Sequence, residues 1–396
     1  LHNSFSKTTS KIIMLVVDGI SGLPSLEHNR RSELEVAHTP NLDKLAQVSS
    51  CGSTIPVLPG ITPGSGPGHL ALFGYDPLKY IVGRGVLEAM GIGILLADSD
   101  ISARGNFCVV DNNGLLVDRR AGRISEKNAT ELCNLLNTIQ VPNVELSVYP
   151  VKEHRFVTII KGESLDDALT DTDPQSLGVA PLQVVPRNET SIATAKVFND
   201  FVGQANALIK NESGANAILL RGISKKPKLP NMTDTYKVNP AAIASYPMYR
   251  GIAKLLGMNI LNTGATFDQE ISTLHNHFNE FDFMYIHYKP TDSAGEDGKF
   301  DEKVKALEYL DTKINNILEL HPDVFIVAGD HSTPSIMAGH SWHPVPFLLN
   351  SKWTTGDGID AFNERSCKTG SLGNFPASQA MLLGLGHAGK ISKYGP

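Results

Sequence analysis

Continuous apolar runs alternate with amphipathic segments along much of the chain. Residues 12 to 17 (IIMLVV) are all apolar and end at Asp18 and Gly19, which predicts a strand buried on both faces, as in a parallel sheet. The segment beginning at Thr39 and Pro40 has a cap residue followed by a proline at the first helical position, so we expect a helix there. A strand followed by a helix is typical of the α/β class.

The same pattern returns in the C-terminal half. Apolar runs at residues 281 to 288 and 323 to 329 predict two strands, and between them apolar side chains recur every three or four residues, which predicts an amphipathic helix. Asp18, Asp292 and Asp330 each lie just past a predicted strand. Because parallel sheets bind ligands beyond the carboxyl ends of their strands, we expect these three aspartates to converge.

The middle of the chain has a different pattern. Residues 109 to 117 form two apolar stretches around an Asn-Gly pair, which predicts a β-hairpin, and residues 154 to 162 predict a further strand. We therefore expect an inserted domain at residues 98 to 184. The rest, including a strand at residues 217 to 222, is assigned to a discontinuous larger domain formed by residues 11 to 97 and 185 to 396.

Composition narrows the range of partners. The chain has 396 residues, 41% of them hydrophobic, and a formal net charge of -6, with no block of like charge of the kind that binds nucleic acid. Its four cysteines are far apart without a CxxC pair, which favours thiols in a reducing compartment. No apolar run reaches the ~18 residues of a membrane span. We expect a cytoplasmic protein that acts on small molecules.

The strongest candidate metal ligands are Asp330 and His331 in the segment GDHSTP, at the end of a predicted strand. An adjacent carboxylate and imidazole can reach one ion together, and mixed oxygen and nitrogen ligands suit manganese or zinc. By itself, an Asp-His pair is more often a polar cap on a sheet.

Two further segments carry possible ligands. Asp292 and Glu296 lie four residues apart in a glycine-rich loop, where close carboxylates repel each other unless a cation neutralises them. A solvated acidic turn explains this segment equally well. His340 lies ten residues after Asp330. Because a lone histidine is more often a packing residue, His340 is a candidate ligand only in combination with the neighbouring motifs.

A candidate nucleophile, Ser65, lies in the Gly- and Pro-rich segment 60 to 69, where small residues let a ligand approach the backbone and leave the serine exposed. A serine hydroxyl is a poor nucleophile at neutral pH, but coordination to a divalent ion favours its alkoxide form. A plain turn is the alternative. A Ser-His-Asp triad fits less well because no GxSxG motif occurs.

The middle of the chain also supplies cations for an anionic substrate. The planar guanidinium of arginine binds carboxylate and phosphate groups through two parallel hydrogen bonds. Because many exposed arginines are only solvated surface, we expect part of the set to contact a ligand. The candidates are Arg104, Arg119, Arg120, Arg123, His154 and Arg155.

In their order along the chain, these motifs resemble the archaeal-type cofactor-independent (2,3-bisphosphoglycerate-independent) phosphoglycerate mutases of the alkaline phosphatase superfamily. The similarity runs over nearly the whole chain from Lys11 and includes MLVVDG, HTPNLDKLA, GRGVLEAMGIG, RGNFCVVDNNGLLVDRRAGRI, DTDP, HYKPTDSAGEDG and GDHSTP. The resemblance implies an α/β fold, with an alkaline-phosphatase-like three-layer core, a mainly parallel sheet and a smaller inserted α+β substrate-binding domain.

The resemblance also implies two divalent metal ions, commonly manganese, with magnesium, zinc or cobalt as alternatives. One would be held by Asp18, Ser65, Asp330 and His331, and the other by Asp292, Glu296 and His340. The serine would take the phosphoryl group of 3-phosphoglycerate, and the 2-hydroxyl of the bound glycerate would take it back. The arginine-bearing domain would retain glycerate and exclude water.

Two positions depart from the family pattern. This chain has Glu296 where the family carries histidine, and Gly66 where the residue after the serine is usually aspartate. Glutamate still ligates hard ions, so we expect a metal preference shifted from zinc toward manganese or magnesium. The alternative functions are a metal-dependent phosphatase, a phosphotransferase acting on a small alcohol such as homoserine, and a non-catalytic relative that binds phosphorylated ligands.

Overall fold

The structure is a computed structural model, and it describes residues 4–393 and 395. The chain divides into two compact units, one formed by residues 1–81 together with 229–396 and the other by residues 82–228. The larger unit is discontinuous in sequence. No helix in the described part of the chain is long and apolar enough to cross a membrane.

The strands, in chain order, are β1 Ile12–Val17, β2 Ser50–Ile55, β3 Ile101–Val110, β4 Leu116–Asp118, β5 Glu145–Lys152, β6 Arg155–Lys161, β7 Ala217–Lys225, β8 Pro240–Ile243, β9 Asn259–Ile260, β10 Phe283–Tyr288, β11 Val324–Ala328, β12 Val345–Ser351 and β13 Gly373–Pro376. The α-helices are α1 Glu33–Val36, α2 Pro40–Gln47, α3 Ser65–Leu72, α4 Arg84–Gly91, α5 Glu126–Leu136, α6 Ile192–Ile209, α7 Met232–Tyr236, α8 Pro247–Leu255, α9 Phe267–His277, α10 Pro290–Glu296, α11 Phe300–Leu318, α12 Glu364–Cys367 and α13 Ala380–His387.

The larger unit is built on a sheet with the strand order β13-β2-β12-β11-β1-β10-β8-β9. Five of the seven pairings between its described strands are parallel, and the antiparallel ones both involve β12. Strands β1, β10 and β11 are buried along their whole length, as their continuous apolar sequences predict. The predicted mixed α/β fold with a mainly parallel sheet is confirmed.

The two sides of β10 have different roles. Met284, Ile286 and Tyr288 belong to the large hydrophobic core, in which the apolar face of α11 also packs. Tyr285 and His287 alternate with them and contact the imidazole of His69 through their rings. One side of this strand therefore stabilises the fold, and the other side faces the cluster that Tyr285 and His287 form with His69.

The smaller unit contains a second sheet, in which β3 pairs with β4, β6 and β7 and β6 also pairs with β5. The predicted hairpin and the predicted strand at residues 154 to 162 both occur here. The predicted domain bounds of 98 and 184 are too narrow, since the unit spans Val82–Lys228. The physical reason is that β7, assigned from sequence to the larger domain, pairs antiparallel with β3, and α4 packs on both strands.

The glycine-rich loop predicted around Asp292 and Glu296 is a helix. Pro290 takes the first helical position of α10, and the helix runs to Glu296 itself. The helix needs a glycine at position 295, because the backbone there lies against Thr333 and an added Cβ would clash with the Thr333 carbonyl oxygen. Asp292 and Glu296 are thus one helical turn apart and share one face.

Candidate functional site

Three strand ends bring the predicted aspartates together. Asp18 follows β1 directly, Asp330 follows β11, and Asp292 lies in α10, which begins just after β10. Because β1 pairs in parallel with both β10 and β11, the carboxyl ends of the three strands lie side by side. All three carboxylates are fully buried, and the predicted convergence is confirmed.

A first ligand group consists of Asp18, Asp330 and His331, with Ser65 beside them. The Nε2 atom of His331 lies 3.3 Å from Oδ1 of Asp18 and 3.2 Å from Oδ2 of Asp330. The Oγ atom of Ser65 lies 3.0 Å from the same nitrogen. In the described part of the chain, neither of these carboxylate oxygens has a hydrogen-bond partner, although both are buried. Unpaired buried carboxylate oxygens are costly, and their convergence with an imidazole nitrogen fits a divalent cation.

The sequence suggested that Ser65 is exposed, and this is wrong. In the structure Ser65 takes the first position of α3 and is only 7% exposed. The small residues of this segment allow the approach of protein backbone rather than of a ligand. A Cβ atom at Gly68 would clash with the carbonyl oxygen of Asp330. The first turn of α3 therefore packs directly on the loop that carries Asp330 and His331.

A second ligand group consists of Asp292 and His340, with Glu296 beside them. The Nε2 atom of His340 lies 3.5 Å from Oδ1 of Asp292 and 3.5 Å from Oε1 of Glu296. Burial alone would lower the pKa of His340, but hydrogen bonds to Asp292 and Glu296 raise it to about 10. One ligand atom each of Asp292, His331 and His340 lies within 4.8 Å of the other two. Glu296 does not belong to this set of three, which was found among the described residues.

Thr333 connects the two groups. Its hydroxyl donates to Oδ1 of Asp292 at 2.8 Å and lies 2.9 Å from Nδ1 of His331. Because the single hydroxyl proton goes to the carboxylate, the hydroxyl oxygen accepts from Nδ1–H of the imidazole. The lone pair of His331 is therefore on Nε2, the atom that faces Asp18, Asp330 and Ser65.

Lys289 lies between the two groups. Its ammonium donates to Oδ2 of Asp18 at 3.1 Å and also to Oδ2 of Asp292. Burial would raise the pKa of Asp18, but the charge of Lys289, with help from His287 and His331, holds this pKa well below its ordinary value. Asp18 is thus charged around neutral pH, as a carboxylate ligand of a cation must be.

His69, His287, Lys289, Tyr249 and Thr333 were missed at the sequence level. His69 donates from Nδ1 to the carbonyl oxygen of Ser65 at 2.9 Å and lies 3.2 Å from Oδ2 of Asp330. The one local signal was its position four residues after Ser65, which places both on one side of a helix. Lys289 and Thr333 lie within three residues of Asp292 and His331, inside segments in which the sequence indicated other residues as ligands. Tyr249 and His287 contact Asp18 from 231 and 269 positions away and lie in segments that resemble plain core.

In the smaller unit, a cluster of cationic side chains surrounds Arg104, which is 8% exposed. Burial and then the charge of Arg84 lower the pKa of Arg104 to about 9. His154 is buried beside the same charges, and burial together with Arg155 lowers its pKa to about 3. A neutral imidazole among guanidinium groups can donate or accept without adding repulsion, and such a cluster attracts anions.

The remaining predicted arginines differ in their surroundings. Arg119 is held by Asp173 through two hydrogen bonds of 2.9 and 2.6 Å, so its charge is already neutralised. Arg120 and Arg123 are exposed in the short turn after β4. Arg221 was not predicted, yet its Nε lies 3.7 Å from Asp173, and its pKa is lowered by burial and then by Arg84.

Fold and site together define a mixed α/β protein with candidate metal-binding groups at the carboxyl edge of a mainly parallel sheet. A family model described as 2,3-bisphosphoglycerate-independent phosphoglycerate mutase matches residues 46–214. A protein of Thermotoga neapolitana named as a probable 2,3-bisphosphoglycerate-independent phosphoglycerate mutase is 49% identical over 388 residues, covering 98% of this chain and 96% of the relative. A Thermus thermophilus protein of the same name is 47% identical, covering 98% and 97%.

Solved structures show the same similarity. A protein from Pyrococcus horikoshii superposes with a TM-score of 0.84 at 26% identity, covering 98% of this chain and 100% of that one. The cofactor-independent phosphoglycerate mutase of Thermoplasma acidophilum superposes with a TM-score of 0.68 at 26% identity, covering 96% and 100%. The chain belongs to the family of 2,3-bisphosphoglycerate-independent phosphoglycerate mutases, which are isomerases.

Proposed function

We propose that this protein interconverts 3-phosphoglycerate and 2-phosphoglycerate through a phosphoserine at Ser65. The observation that carries the proposal is the distance of 3.0 Å between Oγ of Ser65 and Nε2 of His331, within the first ligand group. The identity of 49% to a probable phosphoglycerate mutase over nearly the whole chain supports the substrate. This reaction is a step of glycolysis and gluconeogenesis.

Two divalent ions, which we propose to be manganese, would supply positive charge to stabilise the transferring phosphoryl group and to acidify the serine hydroxyl. One set of ligands would be Asp18, Ser65, Asp330 and His331, and the other would be Asp292, Glu296 and His340. The two unpaired buried carboxylate oxygens of the first group support this assignment. Magnesium, zinc and cobalt are the alternatives to manganese.

Ser65 would act first as nucleophile and then as leaving group. Its Oγ loses its proton and forms a bond to phosphorus while the bond from phosphorus to the 3-oxygen of glycerate breaks, and that oxygen takes up a proton. The 2-hydroxyl of glycerate then loses its proton and attacks the same phosphorus, which releases the serine oxygen to take up a proton. Phosphate is neither gained nor lost, so the reaction is an isomerisation provided that water is excluded.

The cationic cluster of the smaller unit would recognise the acid substrate. Of the predicted set, we assign the leading role to Arg104 and His154, because both are buried and neither has a carboxylate as its main partner. Arg120, Arg123 and Arg155 would add charge around them. Arg119 would act with less effect, because Asp173 already binds its guanidinium.

The cysteines support a location in the cytoplasm. All four, namely Cys51, Cys108, Cys133 and Cys367, fall in the described part of the chain and are buried free thiols. Such thiols are usual in a reducing compartment. We therefore propose that the protein works in the cytoplasm.

The decisive assay incubates the manganese-loaded protein with 3-phosphoglycerate and couples 2-phosphoglycerate formation to enolase, while free phosphate is measured in parallel. We expect 2-phosphoglycerate without stoichiometric free phosphate. Free phosphate without 2-phosphoglycerate would show that the protein is a phosphatase and not a mutase. Transfer to added homoserine would indicate a phosphotransferase, and the absence of every product would leave a non-catalytic binding protein.

A further inference from the structure

The two oxygens of the Asp18 carboxylate have opposite surroundings. Oδ2 accepts from the hydroxyl of Tyr249, from Nε2 of His287 at 3.1 Å and from the ammonium of Lys289 at 3.1 Å. Oδ1 has no hydrogen-bond partner in residues 4–393 and 395, and it faces Nε2 of His331. One oxygen is saturated by donors, and the other is left for a different ligand.

Tyr249 and His287 form a rigid support behind this carboxylate. Tyr249 projects from α8 and His287 from β10, and both side chains are buried. Their rings stack with centroids 3.6 Å apart and planes inclined by 26°. Stacking fixes the orientation of both donors, so the carboxylate that accepts from them cannot turn freely.

We infer that Tyr249 and His287 are positioning residues that turn Asp18 so that Oδ1, and not Oδ2, is presented to the metal ion. The inference rests on the metal site of the proposed function and assigns these two residues a role in it. Lys289 shares the same oxygen, but it also donates to Asp292 and its side chain is 24% exposed, so its position is not restricted to Asp18.

A matched pair of tyrosine variants tests the inference. Tyr249→Phe removes the donor to Asp18, together with the hydrogen bond of 3.0 Å that this hydroxyl accepts from Lys289, and keeps the ring that stacks on His287. Tyr285→Phe is the control, because Tyr285 is equally buried in the same cluster but its hydroxyl has no hydrogen-bond partner in the part of the chain that is described. In titration calorimetry with Mn²⁺ alone, we expect Tyr249→Phe to weaken binding by about 10- to 100-fold at one site, the usual effect of losing a partner of a metal ligand. Tyr285→Phe should bind as the wild type does.

The histidine is tested by its own pair. His287→Leu removes the donor, and His287→Gln places an amide N–H near the position of Nε2. We expect weakened Mn²⁺ binding for leucine and substantial recovery for glutamine. A residue that acts only by packing would give the opposite order, since leucine fills a buried apolar site at lower cost than an amide.

The outcomes separate this inference from the proposed function. If the wild type takes up no Mn²⁺, the metal assignment fails, and the positioning role fails with it. If the wild type binds Mn²⁺ and both Tyr249→Phe and His287→Leu bind it equally tightly, only the positioning role is wrong. Should Tyr249→Phe not fold, the comparison of leucine with glutamine at position 287 decides the question.

Discussion

The Oγ atom of Ser65 lies 3.0 Å from Nε2 of His331, although the two residues are 266 positions apart. Since Nδ1 of His331 donates to Thr333, Nε2 carries the lone pair, and the serine hydroxyl donates to it. The hydroxyl oxygen then has its own lone pairs directed away from the imidazole. A cation bound to the Nε2 lone pair would displace this hydrogen bond, and the serine oxygen beside it would then be free to bind the same cation and to attack a phosphorus atom.

Ser65→Ala should abolish mutase turnover, lowering it by at least about 10³-fold, because no other group would carry the phosphoryl between the two hydroxyls. The enolase-coupled assay measures this loss, and elemental analysis should still find bound metal. Thr62→Ala is the control, because this hydroxyl is exposed three residues earlier in the same segment. A variant that keeps most of its activity would show that Ser65 is not the nucleophile.

Glu296→His should shift the metal preference from manganese toward zinc. The Glu296 carboxylate lies 3.5 Å from Nε2 of His340, and an imidazole in its place adds a nitrogen ligand, which zinc prefers. After dialysis against equal concentrations of both metals, we expect the ratio of bound zinc to manganese to rise by about 10-fold or more. Glu302→His, at an exposed position of α11, should leave the ratio unchanged. An equal ratio in both variants would remove Glu296 from the ligand set.

The framework of the site could be predicted from the sequence. Strands buried on both faces give continuous apolar runs, and a polar residue directly after such a run lies at the carboxyl edge of a sheet. Asp18 and Asp330 were found in this way, and the parallel pairing of β1 with its two neighbours brings them together. The residue types and their order were sufficient because strand ends are local features.

The supporting residues could not be predicted in the same way. His287 lies inside the strand that it belongs to, and its contact with Asp18 spans 269 positions. Tyr249 follows the apolar pattern of an amphipathic helix, so the sequence suggests a core residue. Similarly, β7 was predicted as a strand but assigned to the wrong sheet, because its partner β3 lies more than a hundred residues earlier. Local patterns identify elements and not their distant partners.

Arg104→Met should raise the KM for 3-phosphoglycerate by about 10- to 100-fold, the cost of losing a hydrogen bond to a charged group. Removing this guanidinium also relieves its repulsion by Arg84, so we expect the folded protein to be no less stable. Steady-state kinetics and thermal unfolding measure the two effects. Arg187→Met, which removes an exposed charge from the same unit, should change neither quantity. An unchanged KM in Arg104→Met would contradict the substrate role of the cluster.

Glu270→Gln should stabilise the protein at alkaline but not at acidic pH. Glu270 is 3% exposed, and burial raises its pKa to about 7 from an ordinary value of 4.5, despite the hydrogen bond that its Oε1 accepts from the backbone N–H of Ser245. Between these values the folded chain holds the proton more tightly than the unfolded chain, so the free energy of unfolding falls as the pH rises from about 4.5 through 7. A glutamine is never charged and escapes this loss. From the pKa difference, the advantage of the variant should approach about 3 kcal/mol at most near pH 8 and vanish near pH 4.5.

Denaturant unfolding at several pH values measures this difference, with Glu319→Gln, an exposed glutamate of the same unit, as the control. Because a glutamine amide can still accept from Ser245 N–H, the hydrogen bond survives the substitution, and the pH-dependent part isolates the charge. A constant difference between Glu270→Gln and wild type across this pH range would mean that the buried carboxyl group does not titrate there. The stability of this part of the fold would then owe nothing to the protonation of Glu270.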